Sequence, residues 1–142
     1  MRSRSRGLIM PGYRSVVLAT DFSENATRAF EEARYMAELT GAKMSVIHVV
    51  PGSVMHGDEP AVTEGPGIDR LREMYPAEGA EYVVLHGHEA DKVIKFAAEK
   101  ESAVIVIGSR GVGVIVGLFG GGSVCDKIVA NATVPVLVVP AG

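Results

Sequence analysis

Five short runs of β-branched and aliphatic residues punctuate this chain, at Ser15–Thr20, Met44–Val50, Tyr82–Leu85, Ala103–Ile107 and Val134–Val139. Their internal pattern is the strongest constraint on the fold. Val16-Val-Leu-Ala19, Val104-Ile-Val-Ile107 and Val134-Pro-Val-Leu-Val-Val139 are apolar almost throughout. A strand with one wet face alternates apolar and polar residues, whereas a strand covered on both faces does not. Helical patterns fill the gaps between the runs. In Glu24–Thr40, Ala26, Ala29, Phe30, Ala33, Met36 and Ala37 recur at three- and four-residue spacing, with Ser23 placed as N-cap and Gly41 as C-terminal stop. Ala90–Glu101 shows an apolar face of Ala90, Val93, Ile94 and Ala97, and Ser123–Asn131 one of Val124, Cys125, Ile128 and Val129.

Strand–helix alternation with doubly covered strands specifies a parallel sheet with right-handed crossovers. The expected fold is α/β: a single open five-stranded parallel sheet with helices on both faces, a Rossmann-like sandwich. The second crossover, Pro51–Gly79, is rich in glycine and proline, and only Ile68–Tyr75 within it reads as helical. With 142 residues, no internal repeat and no linker, the chain is expected to form one domain over residues 13–142. Residues 1–12, with Arg2, Arg4 and Arg6, read as a flexible basic tail.

Composition excludes several classes. A net charge of −3 gives no electrostatic case for nucleic-acid binding. A single cysteine, Cys125, cannot frame a disulfide scaffold. The apolar, glycine-rich stretch Val112–Gly122 falls well short of the roughly 18 residues that span a bilayer, and the basic start lacks a signal-peptide h-region. No membrane association is expected, and the cytoplasm is the expected location.

An open parallel sheet binds ligands beyond the carboxyl ends of its strands, where the strand order reverses. The first and fourth strands are the usual flanks of that crevice. The fourth runs into Gly108-Ser-Arg-Gly-Val-Gly-Val-Ile-Val-Gly-Leu-Phe-Gly-Gly-Gly-Ser123, in which seven of sixteen residues are glycine. Glycine lets backbone approach a ligand with no Cβ in the way. The helix that follows would point the N–H groups of Gly122, Ser123 and Val124 outward, as a natural anion site. The loop matches neither the dinucleotide fingerprint nor the Walker pattern, since no Gly-Lys-Ser/Thr occurs in the chain. The first strand ends Ala19-Thr20-Asp21-Phe22-Ser23, where Asp21 either accepts bonds from a ribose hydroxyl or base amine, or caps the next helix. A phosphorylated receiver domain is excluded. The third strand ends Leu85-His86-Gly87 without an acidic cluster, and no lysine follows the fifth.

These residues together resemble a known family. Val16-Val-Leu-Ala-Thr-Asp-Phe-Ser23, His48-Val49, Gly108-Ser-Arg-Gly111, Gly122-Ser-Val124 and Val134-Pro-Val-Leu-Val-Val139 look like a universal stress protein domain, over essentially Tyr13–Pro140. The resemblance implies the family's adenine-nucleotide alpha-hydrolase-like sandwich and, in its nucleotide-binding branch, ATP or a related adenine nucleotide as ligand. Ala19, Thr20 and Asp21 would then line the adenine–ribose pocket, and the Val49 backbone would meet the adenine edge. Gly108, Ser109, Arg110 and Gly111 would approach ribose and α-phosphate, and Gly121, Gly122, Ser123 and Val124 the outer phosphates. Ten residues separate Gly111 from Gly122, one more than the family's usual spacing. Either Gly121 takes the role of Gly122, or the loop bulges by one residue. Arg110 is the loop's one positive charge.

Other residues weigh less. His86 and His88, two apart on a strand, could bind zinc with Glu89, but the ligand set is incomplete. His56-Gly-Asp-Glu59 reads as a solvated cluster in the crossover, and His48 as a satisfied core histidine. Cys125 reads as a buried inert thiol and Lys127 as solvated.

The expected function is therefore a stress-associated regulatory module that binds ATP or a related adenine nucleotide between the ends of strands one and four. Mg2+ would be carried with the nucleotide. No catalytic residues and no resident metal are expected, and hydrolysis should be at most very slow. The alternative is a nucleotide-free dimeric interaction protein of the same fold. A homodimer through the last strand, Val134–Val139, is expected, along with a protein partner the sequence does not name.

Overall fold

A computed structural model of the chain describes residues 12–52, 59–109 and 123–141. Their elements run β1 (Ser15–Ala19), α1 (Glu24–Thr40), β2 (Lys43–Val50), α2 (Pro66–Met74), β3 (Glu81–His86), α3 (Glu89–Ala98), β4 (Ala103–Gly108), α4 (Val124–Asn131) and β5 (Val136–Val139). All neighbouring strands pair in parallel, in the order β3-β2-β1-β4-β5. The expected α/β sheet is thus observed, with β1 central and the order reversing between β1 and β4. The tail 1–12 lies almost wholly outside the described residues, as do His56 and the loop of Arg110, Gly111, Gly121 and Gly122.

Side-chain alternation divides the core into two layers. One face carries Val16, Leu18, Val46 and Val104 against α1 and α2, and it holds the aromatic residues Phe30, Tyr75 and Tyr82. The other carries Val17, Ile47, Ile105 and Ile107 against α3 and α4, and its fully buried members are all aliphatic. Successive residues of a strand point to opposite faces, so continuous apolar runs are what this packing requires.

Element ends differ from the sequence expectation by one to three residues, each for a local reason. β5 starts at Val136, not Val134: Pro135 has no N–H for the ladder, although its carbonyl still accepts from Ile105 N (2.9 Å). α2 starts two residues early because Pro66 supplies a preset first turn. α3 stops at Ala98, and the chain turns into β4 through Ser102 at φ +49°. His88 is not on β3 but is the N-cap of α3, so it shares no strand face with His86.

The two sheet edges are built differently. At β3, Val62 and Val84 exchange both backbone hydrogen bonds at 2.9 Å in an isolated antiparallel bridge, so the crossover itself covers that edge. At β5, Val136, Leu137 and Val138 are half-buried. The amino end of the sheet is held by Glu81, which accepts from Ser45 Oγ (2.7 Å) and pairs with Lys100. Burial pushes the Glu81 carboxyl up, but the Lys100 and Ser45 bonds outweigh it and leave it below the usual carboxylate range.

Candidate functional site

The carboxyl ends of β1 and β4 open onto a crevice, the place where an open parallel sheet takes its ligands. Of the residues singled out from sequence, Ala19, Thr20, Asp21, Val49, Gly108 and Val124 line it, and Ser109 and Ser123 do not. Ile47, Ile107, Val93 and Cys125 add an apolar wall from the aliphatic face of the sheet. Among the described residues, the charged ones on the lining are Asp21 and Glu89. Glu89 opens α3, and its place here was not anticipated. The signal was its position as the first helical residue after β3, which brings it to the same end of the sheet as Asp21.

The turn between β1 and α1 is fixed from several sides. Thr20 is buried, its N–H donates to Ile47 O (2.9 Å), and its hydroxyl donates to the Tyr75 hydroxyl (2.6 Å). Phe22 N–H donates to Thr20 Oγ1 (3.0 Å), and Asp21 Oδ1 accepts from Ser23 N–H (3.0 Å) in a local turn. Ser23 then caps α1, its hydroxyl accepting from Ala26 N–H (3.3 Å). Asp21 is therefore exposed at the lip of the crevice, one oxygen engaged in the turn; the capping role belongs to Ser23. Phe22 has φ +67°, a left-handed conformation that costs a bulky residue on the order of 1–3 kcal/mol. Its ring lies 4.6 Å from that of His48 and 3.9 Å beneath the Arg70 guanidinium. His48 is half-buried, and its Nδ1 is bonded to Thr20 O (2.8 Å), so its polar atom serves the same turn. Burial pushes the Tyr75 phenol up, keeping it neutral throughout the physiological range.

Gly108 lies between β4 and α1. A Cβ there would stand 2.9 Å from both Asn25 Nδ2 and the Asn25 main-chain oxygen. The close approach of α1 therefore already requires glycine at this position, independent of any ligand. The neighbouring Asn25 Oδ1 is buried and has no hydrogen-bond partner among the described residues. Ser109 also has a structural duty, its N–H donating to Val139 O (2.9 Å).

The far wall is the start of α4. Ser123 and Asp126 form a capping box: Ser123 Oγ accepts from Asp126 N–H (3.0 Å), and Asp126 Oδ2 accepts from Ser123 N–H (3.3 Å). The Ser123 N–H that sequence analysis leaves free for an anion is thus engaged by a carboxylate of its own helix. Cys125 is buried in the first turn, and burial, then the Asp126 charge, pushes its thiol up, away from a reactive thiolate. Arg110, Gly111, Gly121 and Gly122 lie outside the described residues. Among the described residues, no three His, Cys, Asp or Glu side chains converge as metal ligands would, and no helix is long and apolar enough to cross a membrane.

The fold is shared with known proteins. The chain is 30% identical to a universal stress protein of Thermus aquaticus from the QAH/OAS sulfhydrylase 3′ region, over 89% of this chain and 98% of that one. It is 27% identical to the universal stress protein YxiE of Bacillus subtilis, over 89% and 99%. Among solved structures, a universal stress protein in complex with cAMP superposes with a TM-score of 0.70 at 23% identity, covering 92% of this chain and 99% of that one. The Archaeoglobus fulgidus universal stress protein in complex with dAMP gives 0.60 at 24%, covering 89% and 98%. Residues 12–140 match the universal stress protein family, and the chain belongs to that family.

Proposed function

We propose that this protein binds an adenine nucleotide, ATP or a relative of it, in the crevice between β1 and β4, and acts as a stress-associated regulatory module in the cytoplasm. The observation that carries this reading is the convergence of Ala19, Thr20, Asp21, Val49, Gly108 and Val124 on one crevice at the reversal of strand order. An apolar slot with a carboxylate at its lip suits a nucleoside, whose base stacks on aliphatic side chains and whose hydroxyls donate to Asp21. Two solved relatives, described as complexes with cAMP and dAMP, support the same class of ligand. By the family resemblance, Arg110, Gly111, Gly121 and Gly122, which lie outside the described residues, would approach the phosphates. Any Mg2+ would arrive with the nucleotide, held chiefly by phosphates and water.

Binding without appreciable turnover is the activity this reading assigns. Phosphoryl transfer relies on positioned cations and metal-held phosphates, whereas the charged groups on the described lining are both carboxylates. Calorimetry with ATP, AMP and cAMP tests the proposal. Saturable heat with at least one ligand is expected, and no heat at millimolar ligand would overturn it. Sustained ATP turnover above about 1 s⁻¹, an ordinary enzymatic rate, would overturn the non-catalytic part.

The engaged Ser123 N–H and the contrast between sheet edges favour a second reading, a homodimer through β5 whose interaction role needs no nucleotide. The β3 edge is already bridged by Val62, while β5 is the outer strand at the other side and only half-buried. An unpaired apolar edge invites pairing with another chain. Light scattering at micromolar concentration should give the mass of two chains, and Leu137→Pro should shift it toward one.

A further inference from the structure

α2 contributes no side chain to the crevice lining, yet its contacts end on the turn that does. Tyr75, the residue that closes α2, is fully buried, and its hydroxyl oxygen accepts a hydrogen bond from the Thr20 hydroxyl. With that proton committed, the Thr20 oxygen is left to accept from Phe22 N–H. Arg70, one turn earlier and exposed, lies over the Phe22 ring, holding from outside a residue whose backbone is left-handed. Tyr75 is itself anchored, since Tyr82 OH donates to Tyr75 O (2.6 Å) and also accepts from Ala77 N–H.

We propose that Tyr75 and Arg70 are positioning residues, through which α2 sets the shape of the nucleoside end of the crevice. This rests on the nucleotide reading above. Thr20 and Asp21 face the ligand, and the two α2 residues act through them without touching it. Loss of the Tyr75 hydroxyl frees the Thr20 hydroxyl to rotate and to compete for its own neighbours. The Thr20 Oγ1 that accepts from Phe22 N–H is then held less firmly, and with it the turn that places Asp21 at the lip. The effect belongs to the nucleoside and not to the phosphates, because it reaches the ligand through Thr20 and Asp21.

The test uses the full chain and titrates adenosine, AMP and ATP into wild type, Tyr75→Phe, Thr20→Val, the double variant and Arg70→Ala. Tyr75→Phe should raise Kd about three- to tenfold, the size of one hydrogen bond, by the same factor for all three ligands. In the Thr20→Val background the same substitution should change nothing further. Arg70→Ala should raise Kd by about two- to threefold, in keeping with an exposed cation–π contact. A Tyr75→Phe protein with wild-type Kd and merely lowered melting temperature overturns the proposal. So does a Tyr75→Phe effect that persists undiminished in Thr20→Val. Amide exchange on the ligand-free protein gives an independent readout. Phe22 and Ser23 should lose protection in Tyr75→Phe while β4 amides keep theirs, and unchanged protection at both overturns the coupling. If wild type binds none of the three ligands, the functional reading fails, and the exchange result alone then decides the proposal. Should Tyr75→Phe not fold, Arg70→Ala, at the surface, carries both measurements with the same criteria.

Discussion

The two walls of the crevice are held in opposite ways. The β1–α1 turn is tied to distant parts of the chain: Thr20 to Tyr75 and Ile47, its carbonyl to His48, and Phe22 to Arg70. The start of α4 is tied to itself, through the Ser123–Asp126 box. A wall fixed by the core is shaped when the protein folds and costs a ligand little ordering. A wall whose donors are engaged by a neighbouring carboxylate must exchange partners when an anion arrives. On the proposed nucleotide reading, the nucleoside end would therefore be preorganised, and the phosphate end would form in competition with Asp126.

This contrast breaks first, and most severely, at Tyr75. Tyr75→Ala removes a fully buried aromatic ring that packs on Phe30 at 5.4 Å and on Phe22 at 6.2 Å. It should cost about 3–5 kcal/mol of stability in denaturant unfolding. Ser123→Ala, the corresponding loss at the other wall, should cost only about 1 kcal/mol, as N-cap removals do. Similar costs for the two would abolish the distinction between core-fixed and self-fixed walls.

Gly108→Ala comes next. Its new Cβ would meet the Asn25 main-chain oxygen, which no side-chain rotation can move. A loss of about 1–3 kcal/mol is expected from such overpacking. Truncating Asn25 to Ala in the same protein should restore only part of it, because the main-chain contact stays. Full restoration would place the clash in the Asn25 side chain alone and detach Gly108 from the α1 wall.

Asp21→Ala separates binding from folding. Asp21 is exposed and accepts from Ser23 N–H within its own turn, so stability should change by less than about 1 kcal/mol, the usual range for surface substitutions. Nucleotide affinity should fall about ten- to a hundredfold, the cost of ~1–3 kcal/mol for a lost hydrogen bond to a charged group. Calorimetry and unfolding on the same sample distinguish the two. Equal losses in both would make Asp21 a structural residue.

The parts legible in the sequence are those governed by periodicity and by strand order. Continuous runs such as Val104-Ile-Val-Ile107 announce doubly covered strands, and Ser23 and Gly41 bracket α1 as their chemistry requires. Ala19, Thr20, Asp21 and Gly108 are legible as crevice residues because they end the strands that flank the reversal. What escaped reading depends on contacts between distant positions. Thr20 and Tyr75 are 55 residues apart, and nothing in either segment announces their bond. Glu89 reads as a helix-start acid, and only the packing of α3 beside α4 brings it to the crevice. Gly108 looks like a ligand-approach glycine from its place before a glycine-rich loop, yet the atom that excludes a Cβ belongs to α1. The capping box is readable in principle, since Ser123 and Asp126 have the required spacing. The sign of its effect on an anion is not, because it depends on whether the carboxylate reaches Ser123 N–H.

Asp126 therefore supplies the smallest effect, and the one that most sharpens the contrast. On the nucleotide reading, its carboxylate would compete with an outer phosphate for Ser123 N–H and oppose that phosphate by charge. Asp126→Ala should cost about 0.5–1 kcal/mol of stability, because half the box and a favourable helix-dipole charge are lost. The same substitution should tighten ATP by a few-fold, on the scale of one helix-dipole interaction, while leaving adenosine unchanged. Destabilised protein that binds its ligand more tightly is an uncommon pairing, and it distinguishes competition from simple disruption. Calorimetry with adenosine and ATP on the same variant makes the measurement internal. If ATP weakens along with stability, the α4 start is a preformed wall like its counterpart, and Asp126 holds it open for the phosphates.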